Sequence, residues 1–365
     1  MGVFSLTFLL ALGLTRGESR VIQTVAGSGD AGFSGDGGAA LQARLGTIQG
    51  LANDAAGNIY IADMSNHVIR RVNSAGNIST VAGMGPDQAG FNGDNQPAIQ
   101  AKLATPSDVA TDDAGNLYVA DNGNHRIRRI DRNGMISTVA GTGEPGSSGD
   151  GGLATDASLR YPSAIALDSV GNLYIGDVGN YRVRRVAKAS GIISTIAGGS
   201  FGFAGDGGPA TAAAFKNLSA LAVGPSGDVF IADSYNNRVR RIGPDGIITT
   251  IAGNGNYNVF SEAELGDGDS ATKAIVRWPF GLALDKAGNL YIAENRSNRV
   301  RRVDSSGAIT TVAGSGHPLE PGSSGDGGPA DKAKLNGPSG LAIDSLGNIY
   351  ISDVGNFRVR KVNAQ

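Results

Sequence analysis

The amino-acid sequence predicts an all-β fold, a closed six-bladed β-propeller of four-stranded antiparallel blades. A phrase of the form Thr-Val/Ile-Ala-Gly recurs six times between Thr24 and Gly314. Its period averages about 57 residues, which is typical of propeller arrays and not of helical solenoids. A second phrase, seen at residues 57–63 as Gly-Asn-Ile-Tyr-Ile-Ala-Asp, follows the same period. The chain also begins with one strand that belongs to no preceding repeat.

Each repeat predicts four strands. In the last repeat, residues 341–343 and 349–352 are rich in apolar residues and flank a turn whose Gly347 can adopt the positive φ of a hairpin. Residues 357–362 form the third predicted strand, and residues 309–313 of the preceding repeat illustrate the fourth. Four short antiparallel strands joined by hairpins make one propeller blade.

The two ends of the chain predict how the ring closes. Residues 20–27 read as a lone fourth strand, and residues 338–362 read as a blade with three strands. Pairing the two completes a sixth blade and removes two exposed sheet edges. We therefore predict one propeller domain over residues 20–365, with blades at about 48–83, 106–141, 162–198, 218–253, 279–314 and 338–362 plus 20–27.

Composition narrows the function classes. The chain has 31 Lys and Arg against 33 Asp and Glu, a formal net charge of -2, so no global field attracts nucleic acid. The absence of Cys excludes disulfides, thiolate catalysis and thiolate zinc sites. Three His residues leave little for a His-rich metal centre.

The first 19 residues differ from the rest. Residues 3–14 form an apolar run too short to span a bilayer and of the length of a signal-peptide core. No Lys or Arg precedes the run, and no small-x-small cleavage site stands out. We predict a signal peptide over residues 1–19 and hence export, with a mis-assigned start or an atypical leader as the alternative.

Two phrases carry a family resemblance. Gly-Asn-Leu-Tyr-Val-Ala-Asp at residues 115–121 and Gly-Asn-His-Arg-Ile-Arg at residues 123–128 resemble the NHL repeat. The longer unit, with Thr-Val-Ala-Gly followed by Gly-Asp-Gly-Gly-Pro-Ala, resembles the NHL propellers of teneurin-type and bacterial extracellular proteins. The resemblance implies the propeller fold and a binding function, mostly toward proteins and in some cases toward RNA or carbohydrate. Related six-bladed folds include lactonases and an amidating lyase, so the fold alone does not select the function.

Two sets of acidic residues recur in every blade. The first lies in Gly-Asp loops, at Asp36, Asp94, Asp150, Asp206, Asp267 and Asp326. Calcium could use such carboxylates, but each loop offers one or two, so we expect them instead to bond their own turns. The second set ends the second strands, at Asp63, Asp121, Asp177, Asp233, Glu294 and Asp353. Asn residues follow five of them at three positions' distance, which predicts Asx-type hydrogen bonds within the turn.

The third strands are rich in Arg, as in Arg126-Ile-Arg128-Arg129. Because every repeat also supplies acids, we expect ion-paired packing and no nucleic-acid site. His67 and His125 share a repeat position that Tyr, Asn and Phe fill elsewhere, which indicates packing and not metal ligation or catalysis.

Departures from the repeat point to function, because architecture explains what recurs. The incoming loop of blade 5 is the longest, carries Tyr257 and Phe260, and ends in Trp278-Pro279-Phe280, where other repeats have small or polar residues. Tyr161 occupies the position of Trp278 in blade 3. Exposed aromatic rings at a propeller mouth would suit a carbohydrate or peptide ligand. Equally, the long loop could fold over these rings.

One further departure supports an alternative. Asp108 stands where the other first strands have Gly or Ala, so it could serve a calcium-dependent lactonase or hydrolase at the channel mouth. We predict an exported, monomeric protein- or carbohydrate-binding module without a required cofactor, with calcium left open. Its candidate ligand-binding residues are Trp278, Phe280, Tyr161 and Asp108. The lactonase is the first alternative, and a purely structural repeat domain carried by a larger surface assembly is the second. No catalytic or metal-binding residue is assigned.

Overall fold

A computed structural model describes residues 20–258, 265–315 and 320–364. Six four-stranded antiparallel sheets, one with a short fifth strand at its edge, form the blades of a propeller, which confirms the predicted fold class. The predicted signal peptide at residues 1–19 lies outside the described residues. No helix in the described part of the chain is long and apolar enough to span a bilayer.

We label the strands of each blade A to D, from the channel outward. Blade 1 comprises Ile48–Asn53, Ile59–Asp63, Val68–Val72 and Ile78–Ala82; blade 2 comprises Pro106–Thr111, Leu117–Asp121, Arg126–Ile130 and Met135–Ala140; blade 3 comprises Pro162–Leu167, Leu173–Asp177, Arg182–Val186 and Ile193–Gly198. Blade 4 comprises Leu218–Val223, Val229–Asp233, Arg238–Ile242 and Ile248–Ala252; blade 5 comprises Pro279–Leu284, Leu290–Glu294, Arg299–Val303 and Ile309–Ala313; blade 6 comprises Pro338–Ile343, Ile349–Asp353, Arg358–Val362 and Ile22–Ala26.

Short elements fill the connections. Gln96–Pro97 is the fifth strand of blade 2, and Ser200–Phe201 pairs with Ala214–Phe215 before blade 4. Single-turn 3-10 helices connect strands B and C or lie within the incoming loops. They are Ala40–Gln42, Met64–Asn66, Ala98–Gln100, Asn122–Asn124, Ala154–Asp156, Val178–Asn180, Ala210–Ala212, Ser234–Asn236, Asn295–Ser297, Ala330–Lys332 and Val354–Asn356.

The two ends of the chain close the ring as predicted. Strand D of blade 6 is the N-terminal strand, which pairs antiparallel with strand C near the C-terminus, in the register Ile22 to Val362 and Gln23 to Lys361. Ile22 is fully buried and belongs to the hydrophobic cluster between blades 5 and 6. Closure therefore satisfies backbone hydrogen bonds and buries apolar surface at the same time.

The hydrophobic core lies between adjacent blades. One cluster, for example, joins Tyr350 and Val359 of blade 6 to Leu51 and Ile61 of blade 1. Small residues allow the A strands to approach closely at the axis. A Cβ atom on Gly281 would lie 1.8 Å from the Ser339 carbonyl oxygen of the next blade, so this contact requires glycine.

One face of the ring carries both the incoming loops and the B–C turns. Asn66 of a B–C turn donates a hydrogen bond to the Gly32 carbonyl of an incoming loop at 2.8 Å, and Asn124 makes the same bond to Gly90 at 2.6 Å. We call this side the loop face. It contains the mouth of the central channel and the candidate site.

Candidate functional site

The six A strands wall a central cavity of about 450 Å³. The second residue of each A strand lines it, and this ring consists of Gln49, Ser107, Ser163, Ser219, Phe280 and Ser339. The serines also join neighbouring blades. The Ser163 hydroxyl donates to the Leu218 carbonyl at 3.0 Å, and the Ser219 hydroxyl donates to the Pro279 carbonyl at 2.8 Å. The ring is therefore polar apart from Phe280.

Asp108 lies in the channel wall and links three blades. Its carboxylate accepts hydrogen bonds from the backbone N–H groups of Val109 and Ile165, both at 2.9 Å. It also lies against Gly50, whose added Cβ would be 2.1 Å from Asp108 Oδ1. Burial raises the pKa of Asp108 to about 7, although the two hydrogen bonds act in the opposite direction.

The metal-dependent alternative needs several ligands beside Asp108. The described residues contain no group of three or more His, Cys, Asp or Glu side chains that could hold a metal ion. Asp108 instead bonds backbone N–H groups of blades 2 and 3. In the described part of the chain its geometry is therefore that of a link between blades.

An aromatic cluster lies on the loop face between blades 4 and 5. The rings of Trp278 and Phe280 are 6.1 Å apart with an interplanar angle of 27°. Tyr235 contacts the Trp278 ring at 5.1 Å, and the Arg296 guanidinium lies 4.3 Å from its centroid. Trp278 and Phe280 are half-buried, and Tyr235 is 47% exposed. We call Tyr235, Trp278 and Phe280 the aromatic cluster.

Trp278 has an unusual backbone conformation that two hydrogen bonds stabilise. Trp278 has a φ of 48°, in the left-handed region that a bulky residue rarely adopts. Its N–H donates to Asn237 Oδ1 of the preceding blade at 3.2 Å, and its carbonyl accepts from Asn295 N at 3.1 Å. These two bonds hold the strained residue in place at the start of strand A of blade 5.

Tyr161 has the same local structure but lies apart from the aromatic cluster. Its φ is 49°, and its N–H donates to His125 Nδ1 at 3.1 Å. The two rings meet edge to face at 4.6 Å, and Tyr161 is 48% exposed. Tyr161 belongs to blade 3 and Trp278 to blade 5. Among the described residues, the ring contact found for Tyr161 is with His125.

His67 and His125 each accept a hydrogen bond from the backbone of the next blade, and we call these two bonds the histidine latch. His67 Nδ1 accepts from the Thr105 N–H at 3.0 Å, as His125 does from Tyr161. Asn298 accepts in the same way from Gly337. An accepting Nδ1 requires that this nitrogen carry no proton, and burial lowers the pKa of both histidines. At four of the six equivalent positions, His67, His125, Asn237 and Asn298, the side chain thus accepts a hydrogen bond from the next blade, and Tyr181 and Phe357 fill the other two.

The recurring acids are held inside each blade. Asn124 donates to Asp121 at 2.7 Å, as expected for the acids that end the B strands. Burial raises the pKa of Asp121 to about 6. The Gly-Asp loops differ from expectation, because their carboxylates bond the central Arg of strand C and not mainly their own turns. These pairs are Arg70–Asp36, Arg128–Asp94, Arg184–Asp150, Arg240–Asp206, Arg301–Asp267 and Arg360–Asp326, at 2.6 to 2.9 Å.

Several residues near the site were missed by the sequence-based argument. Tyr235 and Arg296 occupy a B–C turn position that holds Ser or Gly in the other blades. Arg277 lies 4.8 Å from the Tyr257 ring and donates to the Arg296 carbonyl at 3.1 Å. Comparing this turn position between repeats would have found Tyr235 and Arg296. Phe260, in the same loop as Tyr257, lies outside the described residues.

The comparisons with known proteins agree with this architecture. Residues 103–130, 215–242 and 335–362 match the NHL repeat, and residues 243–321 match the teneurin NHL domain. Teneurin-3 of Mus musculus is 31% identical over 346 residues, which are 86% of this chain and 12% of teneurin-3. The chain therefore spans about an eighth of the length of this relative.

Solved structures share the fold at low identity. An auxiliary nutrient-binding protein from Bacteroides ovatus is 16% identical with a TM-score of 0.68, covering 95% of this chain and 77% of that one. A gluconolactonase from Xanthomonas campestris is 12% identical with a TM-score of 0.60, covering 94% of this chain and 89% of that one. The repeat matches and the six closed blades together place this chain in the NHL-repeat family of six-bladed β-propellers.

Proposed function

We propose that this propeller is an exported binding module that holds a carbohydrate or protein ligand on its loop face. The observation that carries the proposal is the aromatic cluster at the rim of a polar channel. Its rings depart from the repeat, lie partly exposed, and adjoin the ring of serine hydroxyls through Phe280. Flat apolar contact beside a few polar groups is the usual composition of a ligand site.

Of the two ligand classes, carbohydrate and protein, the geometry favours carbohydrate. The rings of Trp278 and Phe280 stack with only 27° between their planes and stay half-buried, so their accessible parts offer an apolar contact to the C–H face of a sugar ring. Ser163 and Ser219 line the cavity beside them and offer hydroxyl oxygens to polar ligand groups. The auxiliary nutrient-binding protein with the same fold gives additional support by analogy.

The sharpest test uses the chain's single tryptophan, Trp278. Glycan and peptide arrays probed with the wild-type protein and with Trp278→Ala should show glycan signals that the variant loses. Titration of a bound glycan should then shift the intrinsic tryptophan fluorescence, because the reporter is itself the contact. Phe201→Ala, which removes a 63% exposed ring elsewhere, is the matched control and should bind normally. Equal array signals from wild type and Trp278→Ala would reject this site.

A lactonase is the second candidate, supported by Asp108 in the channel and by the gluconolactonase of the same fold. Lactone hydrolysis and thermal melting, each with calcium and with a chelator, test it. We expect no hydrolysis and an unchanged melting temperature. Calcium-dependent hydrolysis that Asp108→Asn abolishes would replace the binding proposal with the enzymatic one.

Export and a monomeric state are part of the proposal. The apolar run at residues 3–14 supports export, and mass spectrometry of the protein from its native host should find a mature N-terminus near residue 20. Light scattering after gel filtration should give the mass of one chain. A protein that retains residues 1–19 would contradict the proposed export. A mass of two chains would contradict the proposed monomer.

A further inference from the structure

We propose that the ligand is an acidic polysaccharide, bound along four cationic side chains on consecutive blades. Arg160 lies in blade 3, Lys216 in blade 4, and Arg277 and Arg296 in blade 5. We call these four the cationic arc. This inference rests on the proposed carbohydrate-binding function and names the class of carbohydrate.

The fold does not require cations at these positions. Arg160, Lys216 and Arg277 precede strand A of their blades, and each backbone N–H donates to the acid that ends strand B, at 2.7, 3.1 and 3.4 Å. In the other blades Gly46, Ala104 and Asn336 make the same backbone bond. The bond needs only the N–H group, so it does not account for the three charged side chains.

The charges of the cationic arc are not neutralised within the described part of the chain. None of its four members forms an ion pair there, whereas the central Arg of each blade does. Arg160 and Arg296 are exposed, and Lys216 and Arg277 are partly exposed. Accessible cationic groups without an ionic partner favour an external anion.

Aromatic rings accompany the charges. Arg296 stacks on Trp278 at 4.3 Å, Arg277 on Tyr257 at 4.8 Å, and Tyr161 directly follows Arg160. A uronic acid presents a ring face and a carboxylate in one residue, so it fits a surface on which aromatic rings and guanidinium groups lie in contact. Three consecutive blades carry the cationic arc, which suits a ligand of several sugar residues. The serine hydroxyls of the channel ring match sugar hydroxyls, and this favours a polysaccharide over RNA or an acidic protein.

The test compares one acidic glycan with its neutral counterpart. Oligogalacturonate and carboxyl-reduced oligogalacturonate are titrated into the full chain by calorimetry, beside hyaluronan and alginate oligomers. Polyuridylate and polyglutamate represent the other two polyanion classes. Two variants are used, Arg160→Gln/Lys216→Gln and Arg277→Gln/Arg296→Gln. The control, Arg44→Gln/Arg132→Gln, removes two exposed cations outside the cationic arc.

We expect at least one uronate oligomer to bind more than tenfold tighter than neutral glycans. Both arc variants should weaken it about tenfold or more, and higher salt should weaken it further. The control should bind like wild type. Neutral glycans that bind equally well in a Trp278-dependent manner would overturn this inference and leave the proposed function intact. Binding of no glycan at all would overturn this inference together with the carbohydrate part of the proposed function, and arc-dependent binding of polyuridylate or polyglutamate alone would assign the surface to that class.

Discussion

The guanidinium of Arg296 lies over the indole of Trp278, with 4.3 Å between its Cζ atom and the ring centroid. Arg296 belongs to the B–C turn of blade 5, and Trp278 precedes strand A of the same blade. Tyr235 of blade 4 contacts the same indole at 5.1 Å. Two blades therefore contribute to one group of stacked side chains, Tyr235, Trp278 and Arg296, which we call the platform. Each of the three departs from what the other repeats carry at its position.

Replacing Trp278 with Gly should separate binding from stability. Gly removes the ring but tolerates the φ of 48°, so the relief of backbone strain offsets part of the lost ring contacts. We expect the free energy of unfolding to change by about 1 kcal/mol or less. Glycan binding should fall at least tenfold. Urea unfolding and calorimetric titration measure the two quantities, and a variant that binds like wild type would contradict the role of the platform.

The histidine latch predicts a dependence of stability on pH. Burial lowers the pKa of His67 and His125, so the neutral form that accepts the hydrogen bond is favoured in the fold. Their contribution is complete above the ordinary histidine pKa and is lost as pH falls through the lowered value. His67→Asn/His125→Asn should keep the acceptors, as Asn237 and Asn298 do, without titrating.

Urea unfolding of wild type and of this double variant tests the latch between about pH 7.5 and pH 5. The wild type should lose up to about 1 kcal/mol per histidine relative to the variant on acidification. If the unfolding free energies of the two proteins changed in parallel with pH, these hydrogen bonds would not contribute to the pH dependence of stability.

Asp108 should give the opposite pH dependence. Burial raises its pKa to about 7, so the fold favours the protonated form. Its contribution is complete below the ordinary carboxyl pKa and is lost as pH rises through about 7. Relative to Asp108→Asn, wild type should lose on the order of 1–2 kcal/mol between about pH 4 and pH 8.

Asp112 of the same blade is the control for Asp108. Burial acts to raise its pKa, but hydrogen bonds from Asn116 outweigh burial and hold the pKa below its usual value. Its contribution is therefore present above the ordinary carboxyl pKa and lost on acidification. Urea unfolding of Asp112→Asn should thus yield a difference curve of the opposite slope. Two curves of the same slope would contradict the assigned environments.

In blade 5, two positions three residues apart both differ from the residues found in the other blades, and mutagenesis can test whether they depend on each other. Glu294 replaces the usual Asp, and Ser297 replaces the usual Asn three residues later. Both are fully buried, and Ser297 Oγ finds no hydrogen-bond partner in the described part of the chain. Ser297→Asn alone should destabilise by about 1–3 kcal/mol through overpacking, and Glu294→Asp alone by about 1 kcal/mol through a void.

The double variant Glu294→Asp/Ser297→Asn restores the pair found in other blades and should lose less than the sum of the single variants. A coupling of about 1 kcal/mol or more in a double-mutant cycle of unfolding free energies is expected. Additive effects would mean that the two positions do not share space. The reverse exchange in blade 2, Asp121→Glu/Asn124→Ser, serves as the matched comparison.

Removing the N-terminal strand should open the ring. A chain starting at Ser28 lacks Ile22–Ala26, whose Ile22 and Ala26 are fully buried, and leaves the outer edge of strand C of blade 6 unpaired. We expect a loss of more than about 3 kcal/mol and a tendency to aggregate through the exposed edge. A chain starting at Arg20 should melt like the full chain. Similar melting of both truncations in a thermal scan would contradict closure by this strand.

The repeat period, the strand pattern of each blade and the pairing of the chain ends could all be predicted from the sequence. These features depend on local periodicity and on the count of strands, which one chain displays directly. The departure of Trp278 from the repeat could also be recognised, because the sequence alone shows which residues the other five repeats carry at that position. The expectation that Gly-Asp carboxylates bond their own turns was wrong, since the partner is an Arg 34 residues away in the chain.

Side-chain contacts within and across blades were decided only by the tertiary structure. The sequence does not show that Arg296 stacks on Trp278, that Tyr235 joins them from blade 4, or that Tyr161 lies in a separate pair with His125. Such contacts depend on the angle and spacing at which neighbouring blades pack and on the left-handed backbone at single residues. Repeats encode each blade by itself, whereas the aromatic cluster arises where blades 4 and 5 meet, and that geometry exists only once these blades have packed together.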